Sequence, residues 1–259
     1  MLYLFGDESN TPGADLLWAI GFLFSINPRV HMQEIQRIRR ECSYEFRELK
    51  YSSTDYSQIL CAVRLVDYFL QAQDFYFKII IKDNLYFDKS YFEVNNYNLD
   101  EKDMAYVSAY TELCRTIDPQ NFNQKKKLLN IDDKGFKGNV ILPLFLKTKD
   151  SNIVQVYRRD SQRRDKNGNF TGVSNLIQLS DFLTGVILSL ADKRRKRSLN
   201  SEKHKNIYRK ALLSKCKNLQ TKLHAKNNYY WPSFHYQKIN VFYWKPNKNA
   251  SRGKSLSRS

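Results

Sequence analysis

Short unbroken apolar runs open the chain, and helical spacing takes over further along. Leu2-Tyr3-Leu4-Phe5 and residues 16–24 read as two strands buried on both faces. A hairpin through the turn-rich Ser9-Asn10-Thr11-Pro12-Gly13 is their simplest connection. Pro28 opens a helix with Ile35 and Ile38 on one side and Arg37, Arg39 and Arg40 outward. Residues 46–51 alternate apolar and polar, which predicts a short edge strand. Ile59, Val63, Val66 and Leu70 recur at helical spacing within 56–72, and 75–81 is a strand of high β-propensity. Residues 86–100 have no period and read as loop. Met104, Val107, Tyr110, Cys114 and Ile117 mark a helix stopped at Asp118-Pro119.

Residues 128–133 form a strand that ends in Asp132-Asp133, and 140–146 is a short apolar piece. Residues 153–157 are the last clear strand of the body. From 174 to 192 a helix capped by Ser174 or Asn175 is apolar nearly all round, as a buried helix is. Residues 207–223 read as one basic helix. The aromatics at 229–231 and 241–244 read as strand residues packed on the body, with stacking on single-stranded bases as the other reading. Residues 247–259 are expected to be a disordered tail. The fold class is therefore α/β, a mixed sheet flanked by helices over 1–192, with a basic C-terminal extension at 193–246 packed on it.

Charge sharpens this division. The net charge is +17, from 43 Lys+Arg against 26 Asp+Glu, and Glu202 is the only acid from Lys193 onward. The body is neutral, and the last quarter carries the excess, with Lys193, Arg194, Arg195, Lys196 and Arg197 as its densest run. Such a segment favours a polyanionic partner, RNA or DNA ahead of a membrane surface. Cys42, Cys61, Cys114 and Cys216 form no paired motif, and the four histidines show no metal-ligand spacing. The run 16–24 is too short to span a bilayer and no charged leader precedes it, so a cytoplasmic protein is expected.

The candidate chemistry lies in scattered acids. Asp7 and Glu8 end the first strand, where they are equally well explained as solvated turn residues. Glu48 lies on the predicted edge strand, and Asp132 and Asp133 repeat the strand-then-acids pattern. Asp181 sits on an apolar flank of the late helix, where a carboxylate is costly unless it is paired, hydrogen-bonded or metal-bound. If Asp7, Glu48, Asp132 and Asp181 converged, their mutual repulsion would be relieved by a pair of Mg²⁺ or Mn²⁺ ions about 4 Å apart. Oxygen-only ligands fit such hard cations and argue against zinc.

At these residues the chain resembles a known family. Tyr3-Leu4-Phe5-Gly6-Asp7-Glu8-Ser9, Glu48-Leu49-Lys50-Tyr51-Ser52 and Asp160-Ser161 resemble successive motifs of the bacterial domain of unknown function 3800. Ile177-Gln178-Leu179-Ser180-Asp181-Phe182-Leu183-Thr184-Gly185 resembles that family's LQLADLIAG helix. The family usually has Gly where Asn10 stands and Ala where Ser180 stands. It is regarded as RNase H-like and as a nuclease family, with members linked to phage defence. The resemblance implies an RNase H-like catalytic domain over 1–192 that hydrolyses phosphodiesters by a two-metal mechanism and leaves a 3′-hydroxyl and a 5′-phosphate. It makes Asp7, Asp132 and Asp181 metal ligands, with Asp133 the rival of Asp132 and Glu8 assisting, and it adds Glu48 as the least secure member of the catalytic set. A non-catalytic nucleic-acid-binding protein on the same scaffold is the alternative, and an integrase- or transposase-like strand-transfer enzyme is the third reading.

Overall fold

The computed structural model of the chain describes residues 1–10, 16–53, 55–84, 101–115, 125–133, 142–143, 146–147, 150–192, 201–232 and 237–244. Among the described residues, seven strands form one sheet: β1 (Leu2–Ser9), β2 (Leu17–Ser25), β3 (Phe75–Asp83), β4 (Lys127–Asp132), β5 (Ile153–Arg159), β6 (Tyr229–Pro232) and β7 (Gln237–Tyr243). Their order is β5-β4-β1-β2-β3-β7-β6. β1 and β2 are antiparallel, as are β2 and β3, while β1, β4 and β5 run parallel to one another. β7 lies parallel to β3, and β6 turns back against it. The C-terminal strands thus extend the sheet beyond β3, at the segments read as aromatic strands, and β5 is the last described strand of the body over 1–192.

Among the described residues, six helices accompany the sheet: α1 (Pro28–Glu41), α2 (Ser57–Gln71), α3 (Glu101–Arg115), α4 (Gly172–Ala191), α5 (Ser201–Leu213) and α6 (Leu219–His224). Strand alternation sorts the core into two layers. Leu17, Ala19 and Leu23 of β2 face α1, α2, α4, α5 and α6, whereas Trp18, Ile20, Phe22 and Phe24 face α3. Every residue of β2 and β3 is buried, which explains their unbroken apolar runs. α4 is long and apolar enough by composition to cross a membrane, but here it is buried inside the fold. His31 and His204 are buried core side chains. The four cysteines are unpaired, and burial pushes the thiols of Cys61, Cys114 and Cys216 up to about 12, leaving them unreactive.

Four expectations from the sequence are corrected. Arg39, expected to point outward from α1, is buried, and its guanidinium donates to Gln178 Oε1, Tyr44 O and Arg47 O. Residues 46–51 form no strand, because side-chain amides take the backbone groups that a neighbouring strand would have taken. Gln178 Oε1 accepts from Leu49 N at 3.1 Å, Gln58 Oε1 accepts from Lys50 N at 2.9 Å, and Gln58 Nε2 donates to Lys50 O at 2.8 Å. The basic helix over 207–223 is two helices, broken where Asn218 adopts a left-handed φ of 65°. α4 starts earlier than the capping residues proposed for it, with Thr171 Oγ1 accepting from Ser174 N at 3.2 Å. Asn10 also takes a left-handed φ of 64°, a conformation natural to Gly and tolerated by Asn, and its amide donates to Leu17 O at 2.8 Å. The loop expected at 86–100, the Asp118-Pro119 stop, most of 140–146, the tail at 247–259 and the run from Lys193 to Arg197 lie outside the described residues.

Lys238 shows how the last strand is bound to the body. Its side chain is 1 % exposed, its ammonium donates to Ala72 O, and it lies 4.9 Å from the Phe69 ring centre and 5.5 Å from that of Tyr76. Burial lowers its pKa from 10.5 to about 7, with the carboxylate of Asp74 opposing the shift. Between these values the unfolded chain holds a proton that the folded chain lacks, so this residue's contribution to stability is full above pH 10.5 and is lost as pH falls through 7. Lys238→Met is expected to raise stability by on the order of a few kcal/mol at pH 7 and to flatten the rise toward pH 10, read from urea midpoints across that range.

Candidate active site

The site begins with the register of two parallel strands. Gly6 of β1 pairs with Ile131 of β4, so Asp7 and Asp132, one residue further on each strand, stand level at the same end of the sheet. By alternation with Phe5, Asp7 points toward the α4 layer, and Asp132 lies on that side because Ile131 faces α3. Both carboxylates are nearly buried, at 4 % and 8 % exposure. Each has one oxygen fixed by a backbone amide: Glu8 N donates to Asp7 Oδ1 at 2.7 Å, and Ser161 N donates to Asp132 Oδ1 at 2.9 Å. Charge-assisted bonds of this kind hold a carboxylate in one orientation.

α4 crosses above this pair. Asp7 pairs with Gly21 of β2, and Ser180 Oγ donates to Gly21 O at 3.1 Å. A Cβ on Gly21 would stand 2.2 Å from Thr184 Oγ1, so the missing side chain lets the helix come this close. At 100° per residue, Asp181 falls between Ser180 and Thr184, which face the sheet, and Gln178 and Gly185, which face the 48–51 and 160–162 segments. Asp181 is the one position between Ser174 and Ala191 that is not buried. The flank that appears apolar in sequence thus has a solvent opening at the aspartate.

Gln178 ties the surrounding segments together. Its Oε1 accepts from Leu49 N at 3.1 Å and from Arg39 Nη1 at 2.8 Å, and its Nε2 donates to Ser161 O at 2.7 Å. One buried amide therefore holds the peptide that fixes Asp132 beside the peptide that carries Glu48. Glu48 is half-buried at the rim, where it accepts from Gln162 Nε2 at 3.3 Å and pairs with Lys50 Nζ at 2.9 Å. Glu8, although adjacent to Asp7, lies on the other face of the sheet, where Tyr110 OH of α3 donates to its Oε2 at 3.0 Å. Burial, with Glu8, Asp7 and Asp132 adding to it, raises the Tyr110 pKa well above its usual value, so the phenol remains a neutral donor. Asp133 is exposed, with its backbone N bonded to Arg159 O.

The donor chemistry suits a hard divalent cation: oxygen ligands, two of them oriented by backbone amides. Among the described residues, however, no three His, Cys, Asp or Glu side chains are grouped closely enough to hold a metal ion. Asp7, Asp132 and Asp181 share one end of one layer; Glu48 stands at its rim, Glu8 on the opposite face and Asp133 at the surface. Sequence reasoning gave no role to Gln178, Ser161 or Tyr110. The amide of Gln178, set among the apolar residues of α4, was the available signal, since a buried amide must find partners.

A positive rim borders the site. Arg158, Arg163, Arg164 and Lys166 are exposed and Arg159 is half-buried, all on β5 or the segment after it. β5 is an edge strand, and its Arg159 pairs with Asp132. No protein-family model matches the chain, and no curated protein matches it. Gln178→Ala is expected to cost roughly 2–4 kcal/mol, since it strands a buried guanidinium and two backbone groups. Faster proteolysis within 44–53 in the same variant would report the undocking of that segment.

Proposed function

We propose that the chain is a metal-dependent nuclease on an RNase H-like scaffold. The observation that carries this reading is the level placement of Asp7 and Asp132 on parallel strands beneath α4 and its Asp181, the one position between Ser174 and Ala191 that is not buried. The order β5-β4-β1-β2-β3, with only β2 reversed among the five, supports the RNase H-like assignment. A crevice at the carboxyl ends of parallel strands is also where open α/β sheets take their ligands. Mg²⁺ or Mn²⁺ held by Asp7, Asp132 and Asp181 would supply charge against the acids and a water acidic enough to attack a phosphodiester at neutral pH.

The chain's own residues then have separate tasks. The Glu8 and Ser161 amides aim the two strand carboxylates, and Gln178 fixes Ser161. Arg158, Arg159 and Arg163 hold phosphates along the β5 edge, and the run from Lys193 to Arg197 adds further charge for the backbone of RNA or DNA. A role in phage defence is part of the same proposal, and it rests on the family resemblance alone. The lack of an assembled three-residue metal group among the described residues favours a second reading, a nucleic-acid-binding protein without catalysis.

Cleavage of labelled RNA and DNA with Mn²⁺ separates these readings. Asp7→Asn and Asp132→Asn are each expected to lower the rate at least about a hundredfold with binding retained. Binding with no metal-dependent cleavage in the parent chain would establish the second reading, and joined products would indicate strand transfer. Replacing Arg158 and Arg159 by Ser is expected to reduce the slope of log affinity against log salt by about 1.5 to 2.

A further inference from the structure

A cavity of about 180 Å³ opens between α1, the 44–47 turn, the 165–170 segment and the start of α4. Its walls include Arg39, Arg40, Glu45, Asn169, Phe170 and Asn175. Three buried polar atoms on these walls have no hydrogen-bond partner among the described residues: Arg39 Nε, Glu45 Oε2 and Asn175 Oδ1. Arg39 is 1 % exposed and Asn175 2 %, so ordinary surface hydration does not account for these two, while Glu45 is half-buried at the cavity's edge. Asn175 Nδ2 donates to Phe170 O at 3.3 Å, which orients the amide and leaves its oxygen as an acceptor. Leaving three such groups unsatisfied is costly, and native interiors avoid it.

The walls are rigid. Arg39 lies 5.0 Å and Arg164 4.1 Å from the Phe170 ring centre, each guanidinium close to the ring. The other nitrogens of Arg39 are committed to Gln178 Oε1, Tyr44 O and Arg47 O, which leaves Nε as its unused donor. Arg39 remains cationic at neutral pH, although burial lowers it to about 10. The volume matches about six waters, far less than a drug-sized ligand needs, so the occupant is a fragment. It must offer at least two donors to the two acceptors and one acceptor to Nε–H.

We propose that this cavity reads a guanine base of the nucleic-acid strand bound at the acidic site. The Watson–Crick edge of guanine presents two adjacent N–H donors beside a carbonyl. Adenine and cytosine each present one exocyclic amino group, and uracil or thymine one N–H between two carbonyls. Glu45 and Asn175 take the guanine donors, and Arg39 Nε–H takes the carbonyl. Unstacked bases in single strands are read in this way, by side chains bonded to that edge. The cavity and the acidic site are joined through α4. Asn175 precedes Asp181 by six residues, about 9 Å along the helix axis. The same Gln178 that bonds Arg39 at the cavity bonds Ser161 at the acidic site.

The inference rests on the nucleic-acid reading above, and its test is independent of catalysis. Fluorescent single-stranded octamers with one guanine in an otherwise adenine or uracil context are titrated against the full chain in EDTA, where no metal-dependent cleavage occurs. Guanine is expected to bind about tenfold more tightly than adenine at the same position. Inosine, which lacks the exocyclic amino group, should lose most of that gain. Glu45→Gln should abolish the preference while leaving binding of the guanine-free octamer unchanged. Equal binding of all octamers by the parent chain would overturn the proposal and identify the cavity as a water site only. Tighter binding of free 5′-GMP than of the guanine octamer would also overturn it, by making the occupant a free nucleotide. A guanine preference without Mn²⁺-dependent cleavage of any octamer would sink the nuclease reading and leave the pocket standing.

Discussion

The close approach of α4 to the sheet over Gly21 is the constraint on which the other arrangements depend. Without a side chain at Gly21, Ser180 and Thr184 come down onto β2, and the helix axis passes across the ends of β1 and β4. Gly185 does the same on the outer side, where a Cβ would meet Tyr51 at 2.7 Å. A helix gripped on two sides by absent side chains cannot rotate without clashes. That fixes which of its twenty residues looks out at the strand ends, and the residue is Asp181.

The sequence reveals the strands and helices where burial is complete, because complete burial writes itself as unbroken or regularly spaced apolar residues. β2, β3 and α2 fall where the apolar runs place them. Residues 46–51 mislead because their alternation is real but their hydrogen-bond partners are side chains from α2 and α4, far away in the chain. The break before α6 depends on a single backbone angle at Asn218, for which periodicity has no signal. The placement of Glu8 could have been deduced: if Asp7 faces one layer, its strand neighbour must face the other. Seeing this required knowing that the strand continues to Ser9 rather than stopping at the acids.

Composition was the least direct guide. The basic C-terminal quarter is not simply a charged surface. Lys238 is interior, spending its charge on a carbonyl and two aromatic rings. Lys78 and Lys82 of β3 behave similarly, lying 4.4 Å from Phe242 and 4.5 Å from Trp244 respectively. These aromatics come from β7 and the residue after it, so rings that in sequence also read as a base-stacking platform pack instead on lysines of β3 across the β3–β7 seam. Exposed basic residues also line the β5 edge, at Arg158, Arg163, Arg164 and Lys166, so among the described residues the charge available to phosphates is not confined to the C-terminal quarter.

Two acids side by side on β1 serve two different layers of the molecule, and this makes the first strand unusually intolerant of changes in length. One residue inserted or deleted before Gly6 would turn the strand over, presenting a longer glutamate to α4 and an aspartate too short for the phenol of α3. Both layers would lose their fit in one step. Drift in this segment is therefore confined to exchanges of like for like, and indels must fall beyond Ser9.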